Sequence, residues 1–441
     1  MKKQSTLTLK LFGILCLMLL ALPSVIHAQK WELIKELKAT YAIYETRNGN
    51  MLLSDYLFDQ TGGIYISKDK GTSWTKTDIA DYNYNLFMEA GDYVFAIGIG
   101  GHIARSNDGG ETWEMLRYTK PLEAFFDAST LDYTVSYALT YHNNRLYVAD
   151  FNGGGILYSE DFGETWKLTD RTSLFLKYED KETGEITEYI DSFYNLVSFN
   201  NELFAFSVLY VYRYDETNDT WIAVRDDSNF MAVSTIFNGK MYNGRSVMND
   251  SKDVPFLERT ADGKTWETVK RPEGQNDNNI RVLASDDKNI YAGLQFKGIY
   301  FTSNEGESWV NISEGLPYFN EDVVEDYLAP LKIVSTDDYL YVAIYDTPFS
   351  ERKASGVYRM DKASLPSSIE SGKTESANVY VDNDYLYVGE ATNISIFNIC
   401  GKRINAKSIE GKIAINNLSA GIYLYEMTIN NKPVSGKFIK K

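Results

Sequence analysis

The sequence predicts an all-β protein, and three observations lead to that prediction. Tyrosine is abundant, with 33 residues among 441, and aromatic residues make up 14% of the chain. Glycine (31 residues) greatly outnumbers proline (9 residues). A short segment that ends in tryptophan also recurs at nearly regular intervals. Because aromatic residues favour strands and glycine favours tight turns, these features together indicate many short strands joined by turns.

The size and composition fit a large repeat domain followed by a smaller one. Apolar residues make up 44% of the chain and charged residues 24%. These values are typical of globular proteins, and they exclude extensive disorder, collagen and coiled coil.

The recurring segment has the pattern Ser/Thr-x-Asp-x-Gly-x-Ser/Thr-Trp. Three copies are intact, a fourth carries Asn in place of Asp, and two copies at 214–221 and 259–266 are eroded. The carboxylate and hydroxyl of the pattern are suited to accept hydrogen bonds from the amides of a tight turn, where glycine supplies a positive φ. We therefore predict a structural role for the residues Ser67, Asp69, Gly71, Trp74, Ser106, Asp108, Gly110, Trp113, Ser159, Asp161, Gly163, Trp166, Thr302, Asn304, Gly306 and Trp309.

The spacing of the seven tryptophans predicts the architecture. They lie 39 to 55 residues apart, which is typical of one four-stranded blade of a β-propeller. Trp31 opens a strand that has no repeat before it, and the strand at 356–361 has no tryptophan strand after it. We expect the N-terminal strand to complete the last blade, which gives a seven-bladed β-propeller over 29–366. Six or eight blades would also fit, because the repeat that ends at Trp221 is eroded.

The repeat resembles the Asp-box, also called the bacterial neuraminidase (BNR) repeat, of sialidase-like and sortilin-like propellers. In that arrangement the repeat is a turn between the two outer strands of a blade. We call the face that carries these turns the box face. Long insertions at 117–133, 172–191 and 314–326 then fall on the opposite, non-box face. Function concentrates on loops over a rigid scaffold, so we expect ligands on the non-box face.

The N-terminus has the three zones of a secretory signal peptide over 1–28: basic residues, an apolar run and small residues before Gln29. No later stretch is apolar enough for a transmembrane helix. The sequence therefore predicts an exported protein, at the outer-membrane surface or extracellular. Only Cys400 remains after cleavage, so no internal disulfide is expected.

A polar linker at 367–378 precedes a last domain at 379–441. This domain contains the motifs Phe-Asn-x-x-Gly-Lys and Leu-x-x-Gly-Ile-Tyr and a lysine-rich tail. It resembles the C-terminal sorting domain of type IX secretion cargo. The resemblance implies a small β-sandwich and makes the type IX secretion machinery a partner.

The charge distribution narrows the choice of ligands. The net charge of −17 would become −20 after loss of the signal peptide, and the residues from 377 onward carry +3, which leaves −23 on the main body. An acidic body repels polyanions, so nucleic acid and highly sulfated or uronate-rich glycans are disfavoured.

The sequence shows no recognised catalytic constellation, and we predict no catalytic residues. The Arg-Ile-Pro motif of sialidases is absent from the sequence. Propeller xyloglucanases act between two propellers, whereas this sequence predicts one propeller, which argues against that activity. His102 and His142 are the only histidines after cleavage, and with one cysteine they do not form a zinc or iron site. We predict no cofactor, although calcium held by Asp250, Asp253 and Asp346 stays open.

Several aromatic and polar residues follow the second strands on the non-box face, as in a sugar-binding platform. The candidate ligand-binding residues are Asp150, Phe151, Asn152, Arg245, Gln295, Phe296, Tyr345 and Asp346. The sequence thus predicts an exported binding scaffold for a glycan or a protein. Two alternatives stay open: a polysaccharide hydrolase or lyase acting on the same face, and an assembly factor.

Overall fold

The computed structural model describes residues 30–365 apart from 38–39, 56–61, 80–81, 133, 227–232, 246–254, 276–278, 320–326 and 346–353, and residues 380–440 apart from 382–384, 389–391, 399–402, 405–407, 410, 420 and 430–431. The chain divides into two compact units, one up to residue 368 and one from residue 369. The predicted signal peptide (1–28) and linker (367–378) lie outside the described residues.

The first unit is built from four-stranded antiparallel sheets, seven of which lie within the described residues. We call these sheets blades 1 to 7. The N-terminal strand β1 spans Glu32–Glu36. Blade 1 contains β2 (Thr40–Glu45), β3 (Met51–Asp55), β4 (Gly63–Ser67) and β5 (Thr75–Lys76). Blade 2 contains β6 (Tyr84–Ala90), β7 (Tyr93–Gly98), β8 (His102–Ser106) and β9 (Glu114–Arg117). Blade 3 contains β10 (Ala138–His142), β11 (Arg145–Asp150), β12 (Gly155–Ser159) and β13 (Lys167–Leu168).

The next elements are a separate hairpin and the remaining blades. The hairpin pairs β14 (Phe175–Glu179) with β15 (Ile186–Ile190). Blade 4 contains β16 (Phe193–Phe199), β17 (Glu202–Ser207), β18 (Tyr210–Asp215) and β19 (Thr220–Asp226). Blade 5 contains β20 (Val233–Phe237), β21 (Lys240–Gly244), β22 (Leu257–Thr260) and β23 (Glu267–Val269). Blade 6 contains β24 (Ile280–Ser285), β25 (Ile290–Leu294), β26 (Gly298–Thr302) and β27 (Val310–Asn311). Blade 7 contains β28 (Pro330–Ser335), β29 (Tyr339–Ile344), β30 (Gly356–Asp361) and β1.

The blades form a closed ring, which confirms the predicted β-propeller fold. The first strand of each blade contacts the first strand of the next, and β28 of blade 7 contacts β2 of blade 1. Apolar side chains of the second and third strands fill the space between neighbouring blades. Phe95 of blade 2, for example, belongs to the same buried cluster as Leu146 and Leu157 of blade 3. The first strands therefore line the axis of the ring, and the second strands lie in its core.

The N-terminal strand closes the ring as the sequence predicts. Strand β1 pairs antiparallel with β30, with Leu33 opposite Tyr358. The residue before it, Trp31, is 1% exposed and packs between blades 6 and 7. The last blade is thus made from both ends of the propeller sequence.

The recurring turns have the hydrogen bonds that their residues predict. In blade 1 the carboxylate of Asp69 accepts bonds from the Ser73 amide (2.8 Å) and hydroxyl (2.6 Å) and from the Ser67 hydroxyl (2.8 Å). Trp74 donates its indole N–H to the Gly71 carbonyl at 3.0 Å. The copies in blades 2 and 3 repeat these bonds. These residues are therefore occupied in shaping the turn.

The eroded repeat of blade 5 is a turn shortened by one residue. Asp262 accepts hydrogen bonds from the Lys264 amide (2.8 Å) and the Thr265 amide (2.7 Å), and Gly263 follows it directly with φ +71°. Because this turn has one residue fewer between the aspartate and the glycine, it does not match the sequence pattern. Asp262 nevertheless accepts hydrogen bonds from the amides of the turn, as Asp69 does in blade 1.

Three short 3₁₀ helices and one α-helix complete the description of the first unit; they span Lys120–Ala124, Thr172–Leu174, Lys362–Ser364 and, for the α-helix α1, Ala128–Leu131. The insertions predicted at 117–133 and 172–191 contain two of these 3₁₀ helices, the α-helix and the hairpin of β14 and β15.

The described residues of the second unit form two sheets. One has the strand order β31 (Tyr380–Val381), β32 (Tyr385–Tyr387), β36 (Lys412–Ala414) and β35 (Ser408–Ile409). The other has the order β34 (Arg403–Ile404), β33 (Thr392–Asn398), β37 (Gly421–Ile429) and β38 (Lys432–Lys440). Leu386 and Ile413 of the first sheet share a buried cluster with Ile396 and Met427 of the second. This packing is that of the predicted small β-sandwich.

Candidate functional site

A β-bulge recurs near the start of the axial strands. In β2, β6, β16, β24 and β28 the pairing register shifts by one residue immediately after the first residue. The residues skipped by the pairing are Tyr41, Asn85, Tyr194, Arg281 and Leu331. Bulges re-aim side chains, and they are common at the rims of barrels and beside functional sites.

All of these bulge residues line one cavity at the non-box end of the axis. The cavity encloses about 200 Å³. We call it the axial mouth; its lining residues are Tyr41, Asn85, Leu86, Tyr137, Tyr194, Val233, Ile280, Arg281, Leu331 and Lys332. Every blade contributes at least one of them. The repeated bulge therefore converts a regular ring of strands into a shaped pocket.

The polar groups of the axial mouth are hydroxyls, one amide and two cations. Asn85 donates its side-chain N–H to the Ser136 carbonyl at 3.3 Å, and its Oδ1 is buried without a hydrogen-bond donor in the described part of the chain. Burial raises the pKa of Tyr194, and the nearby charge of Asp191 adds to this effect. Burial also lowers the pKa of Lys332. The lining residues within the described part of the chain include no carboxylate.

An aromatic group forms one side of the axial mouth. The ring of Phe151 meets Tyr137 edge-on at 5.4 Å between centroids and Tyr194 at 5.2 Å, while Tyr137 and Tyr194 stack at 6.4 Å. Such edge-to-face and stacked pairs hold their rings in fixed positions. Phe151 was predicted as a ligand-binding residue, and the structure places it behind the two tyrosines that line the cavity.

Asp150 and Asn152 shape the turn that carries Phe151. The Asp150 side chain is fully buried, and its Oδ2 accepts the backbone N–H groups of Asn152 (3.1 Å) and Gly154 (2.7 Å). Burial outweighs these hydrogen bonds and raises the pKa of Asp150 to about 6. Its Oδ1 has no partner among the described residues. Asn152 is exposed on the same turn.

The second predicted group, Gln295 and Phe296, lies on blade 6. Gln295 accepts a hydrogen bond from the side chain of Asn279, and Phe296 has a positive φ of 60°. The ring of Phe296 contacts Phe319 at 4.7 Å between centroids, and Phe319 is 43% exposed. These residues form a second aromatic surface on the non-box face, which does not line the axial mouth.

Arg245 and Tyr345 are placed differently from the other predicted residues. Arg245 is 5% exposed, and its Nη2 donates to Glu258 Oε2 at 2.6 Å. Tyr345 is half-buried. Asp346, together with the calcium candidates Asp250 and Asp253, lies outside the described residues. Within the described residues no group of three His, Cys, Asp or Glu side chains is arranged to hold a metal ion.

The two histidines and Asp286 have structural partners. His142 Nδ1 lies 2.8 Å from Ser198 Oγ, and Nε2 lies 3.3 Å from Glu216 Oε1, so the side chain joins blades 3 and 4 at the box face. The His102 ring packs on Tyr82 at 4.1 Å. Asp286 accepts from Ser335 at 2.7 Å and pairs with Lys362 at 2.8 Å. The contacts of His142 and Asp286 link neighbouring blades.

Sequence reasoning missed the residues that line the axial mouth. They lie at the start of first strands, whereas the prediction concentrated on loops after second strands. The available signal is positional: in four of the seven first strands the second residue is a large polar or aromatic residue, namely Tyr41, Asn85, Tyr194 and Arg281. The bulges that turn these residues inward depend on pairing with the neighbouring strand, which a single sequence does not display.

Comparison with known families identifies the second unit. Residues 375–441 match the family model of the secretion system C-terminal sorting domain. The C-terminal unit is thus a type IX sorting domain, and the protein is exported to the cell surface or the extracellular space. Within the described residues no helix is long and apolar enough to cross a membrane.

The chain matches no curated protein. A structure of YCF48 bound to a D1 peptide is 15% identical, with 75% of this chain and 94% of that chain covered and a TM-score of 0.50. YCF48 from Cyanidioschyzon merolae is 15% identical over 76% of this chain and 100% of that chain, with a TM-score of 0.49. The extracellular domain of the putative one-component system BT4673 from B. thetaiotaomicron is 9% identical over 93% of this chain and 48% of that chain, with a TM-score of 0.48. At these identities the likeness concerns the fold alone.

Proposed function

We propose that this protein is an exported glycan-binding protein whose axial mouth binds one sugar residue of its ligand. The observation that carries this proposal is the convergence of bulge residues from five blades on a single small cavity. Aromatic rings with a few convergent polar groups are the usual lining of small-ligand sites. The tyrosine rings offer flat apolar faces, and the hydroxyls and the Asn85 amide offer hydrogen bonds to sugar hydroxyls.

The size of the cavity favours a small group over a folded protein. About 200 Å³ is below the usual range of pockets for drug-sized ligands, and it suits a single ring at the end of a glycan. Binding without turnover is favoured because the lining residues that the structure describes include neither a carboxylate pair nor a nucleophile paired with a base.

A glycan array followed by titration calorimetry on the full chain tests this proposal. We expect binding without release of reducing ends, and a loss of affinity of about tenfold for Tyr194→Ala or Tyr137→Ala. The matched control is Tyr178→Ala, because Tyr178 is 58% exposed on the hairpin and does not line the mouth. Turnover of the glycan, or equal affinity in all three variants, would refute the proposal.

A second candidate function is the binding of a protein segment by the hairpin of β14 and β15. This hairpin forms a sheet of its own, and both outer edges lack a partner strand among the described residues. Its side chains Phe175, Tyr178 and Ile186 are 41%, 58% and 61% exposed. Open strand edges and exposed apolar groups suit addition of an extended peptide. YCF48 binds a peptide on a similar fold. Deletion of 175–190 with retained sugar binding but lost capture of a peptide library would favour this function.

A further inference from the structure

Lys332 places an unpaired charge in the axial mouth. It follows the bulge residue Leu331 on β28, whose neighbouring axial strands are β24 and β2. The structure gives its ammonium group no hydrogen bond and no ion pair within the described part of the chain, although many other lysines and arginines of the propeller have such partners. Lys332 is half-buried, and even a partial loss of hydration without a partner is costly for an ammonium group. A fold that keeps such a group in a cavity indicates a function for its charge.

A second cation lines the same cavity from the adjacent strand. Arg281 is the bulge residue of β24, and β24 contacts β28. Among the described residues the lining contains no Asp or Glu, whereas the whole chain carries a net charge of −17. The axial mouth is therefore a small positive site in an acidic protein. Such a site attracts one acidic group, while the surrounding charge still repels a polyanion.

We infer that the sugar bound in the axial mouth carries a carboxylate, and that Lys332 is its principal partner. This inference rests on the proposed function and narrows its ligand to an acidic sugar within an otherwise weakly charged glycan. Arg281 lines the cavity beside Lys332 and adds a second positive charge. Asn85 Oδ1 accepts a hydrogen bond from a ring hydroxyl, and the tyrosine hydroxyls donate to ring hydroxyls or accept from them. The charge of the body still disfavours uronate-rich polymers, but it does not disfavour a glycan with a single acidic residue.

Titration calorimetry on the full chain with matched sugar pairs tests this inference. The probes are the methyl glycosides of glucuronic acid and glucose, of galacturonic acid and galactose, and of mannuronic acid and mannose. We expect one acid to bind about tenfold to a hundredfold more tightly than its neutral partner, which is the range for a hydrogen bond to a charged group. This preference should vanish in Lys332→Met, which preserves the length of the side chain, and should weaken at high salt.

The control variant is Lys264→Met, because Lys264 is exposed on the box face and should leave the preference unchanged. Equal binding of the acid and its neutral partner in the unmodified chain would overturn the inference and leave the proposed function standing. A retained preference in folded Lys332→Met would overturn the assignment to Lys332. Absence of binding by every sugar of the panel and of the array would overturn both. The comparison of acid with neutral sugar in the unmodified chain keeps the test valid even if a variant fails to fold.

Discussion

The indole Nε1 of Trp31 donates a hydrogen bond of 2.6 Å to the carbonyl of Ile312, 281 residues further along the chain. The backbone amide of Trp31 also donates to the Glu314 carbonyl at 2.8 Å. Ile312 and Glu314 follow the last strand of blade 6, and Trp31 precedes the outer strand of blade 7. The start of the propeller is thus bound to both of the last two blades. The Trp31 side chain contacts blade 6, and strand β1, which follows Trp31, pairs with β30 of blade 7; together these two interactions close the ring.

We therefore expect Trp31→Ala to lower the free energy of unfolding by about 3–5 kcal/mol, the usual cost of removing a buried tryptophan. Trp31→Phe should cost less, because it keeps much of the apolar contact and loses mainly the hydrogen bond to Ile312, worth about 1 kcal/mol. Denaturant unfolding followed by tryptophan fluorescence and circular dichroism measures both variants.

Leu33→Ala is the control for that experiment, since Leu33 is 44% exposed on the same strand. It should change the free energy of unfolding by less than about 1 kcal/mol. If Trp31→Ala proved as mild as Leu33→Ala, closure through Trp31 would be ruled out.

The turn of blade 1 should make stability sensitive to acid. Hydrogen bonds from the hydroxyl and amide of Ser73 and from Ser67 lower the pKa of Asp69 to about 2, below its ordinary value of 3.8. A depressed carboxyl pKa contributes stability at pH values above 4, and the contribution is lost as the pH falls towards 2. Asp69→Asn should therefore flatten the decline of the unfolding temperature between pH 4 and pH 2.

The chain itself contains the precedent for that substitution. Asn304 Oδ1 accepts the Ser308 amide at 3.0 Å, and its Nδ2 donates to the Ser308 hydroxyl at 2.9 Å. An amide can therefore build the turn without a charge. Asp69→Ala, which has no acceptor, should lower the unfolding temperature at neutral pH, and an Asp69→Asn variant with an unchanged acid profile would contradict the role assigned to this carboxylate.

The contrast between predicted and observed features has a physical basis. The tryptophan spacing predicted the propeller and the role of Trp31, because each blade repeats a similar turn and this repeat can be recognised in the sequence. The position of Asp150 was predicted, but its burial was not, since an aspartate after a strand usually lies in solvent. The inward position of Tyr194 depends on a bulge, which is a relation between two strands. Local patterns thus predicted the scaffold, and pairing irregularities determined the pocket.

Asp150 should give a pH dependence of the opposite sign to that of Asp69. Because burial raises its pKa to about 6, the folded state holds the proton more tightly than the unfolded state, whose pKa is near 3.8. The contribution is fully present below pH 4 and is lost as the pH rises through 6, by roughly 3 kcal/mol for a shift of this size. Asp150→Asn should remove this decline while its Oδ1 still accepts the amides of Asn152 and Gly154. Thermal unfolding from pH 4 to pH 7 measures the difference, and parallel curves for the two proteins would disprove it.

The buried carboxylate of Glu258 should be important for the stability of blade 5. Its Oε2 accepts hydrogen bonds from Arg245 at 2.6 Å and from Arg225 at 2.8 Å. Glu258→Gln removes the negative charge that accepts a hydrogen bond from the buried Arg245 guanidinium, so we expect a loss of about 3–5 kcal/mol in the free energy of unfolding. Arg225→Met should cost less, since the pair of Glu258 with Arg245 survives. A Glu258→Gln variant as stable as the unmodified chain would show that the pair contributes nothing.

Lys332→Met should raise the stability of the free protein, which separates its effect on folding from its effect on binding. An ammonium group without a partner in a cavity destabilises the folded state, and burial lowers the pKa of Lys332 for the same reason. Methionine fills a similar volume without a charge, so the unfolding temperature at pH 7 should increase. The gain should shrink at high pH, where the unmodified lysine loses its proton at a smaller cost in the folded state than in the unfolded state. A variant that is less stable than the unmodified chain would indicate that Lys332 already has a partner in the folded protein, and the charge would then serve the scaffold and not a ligand.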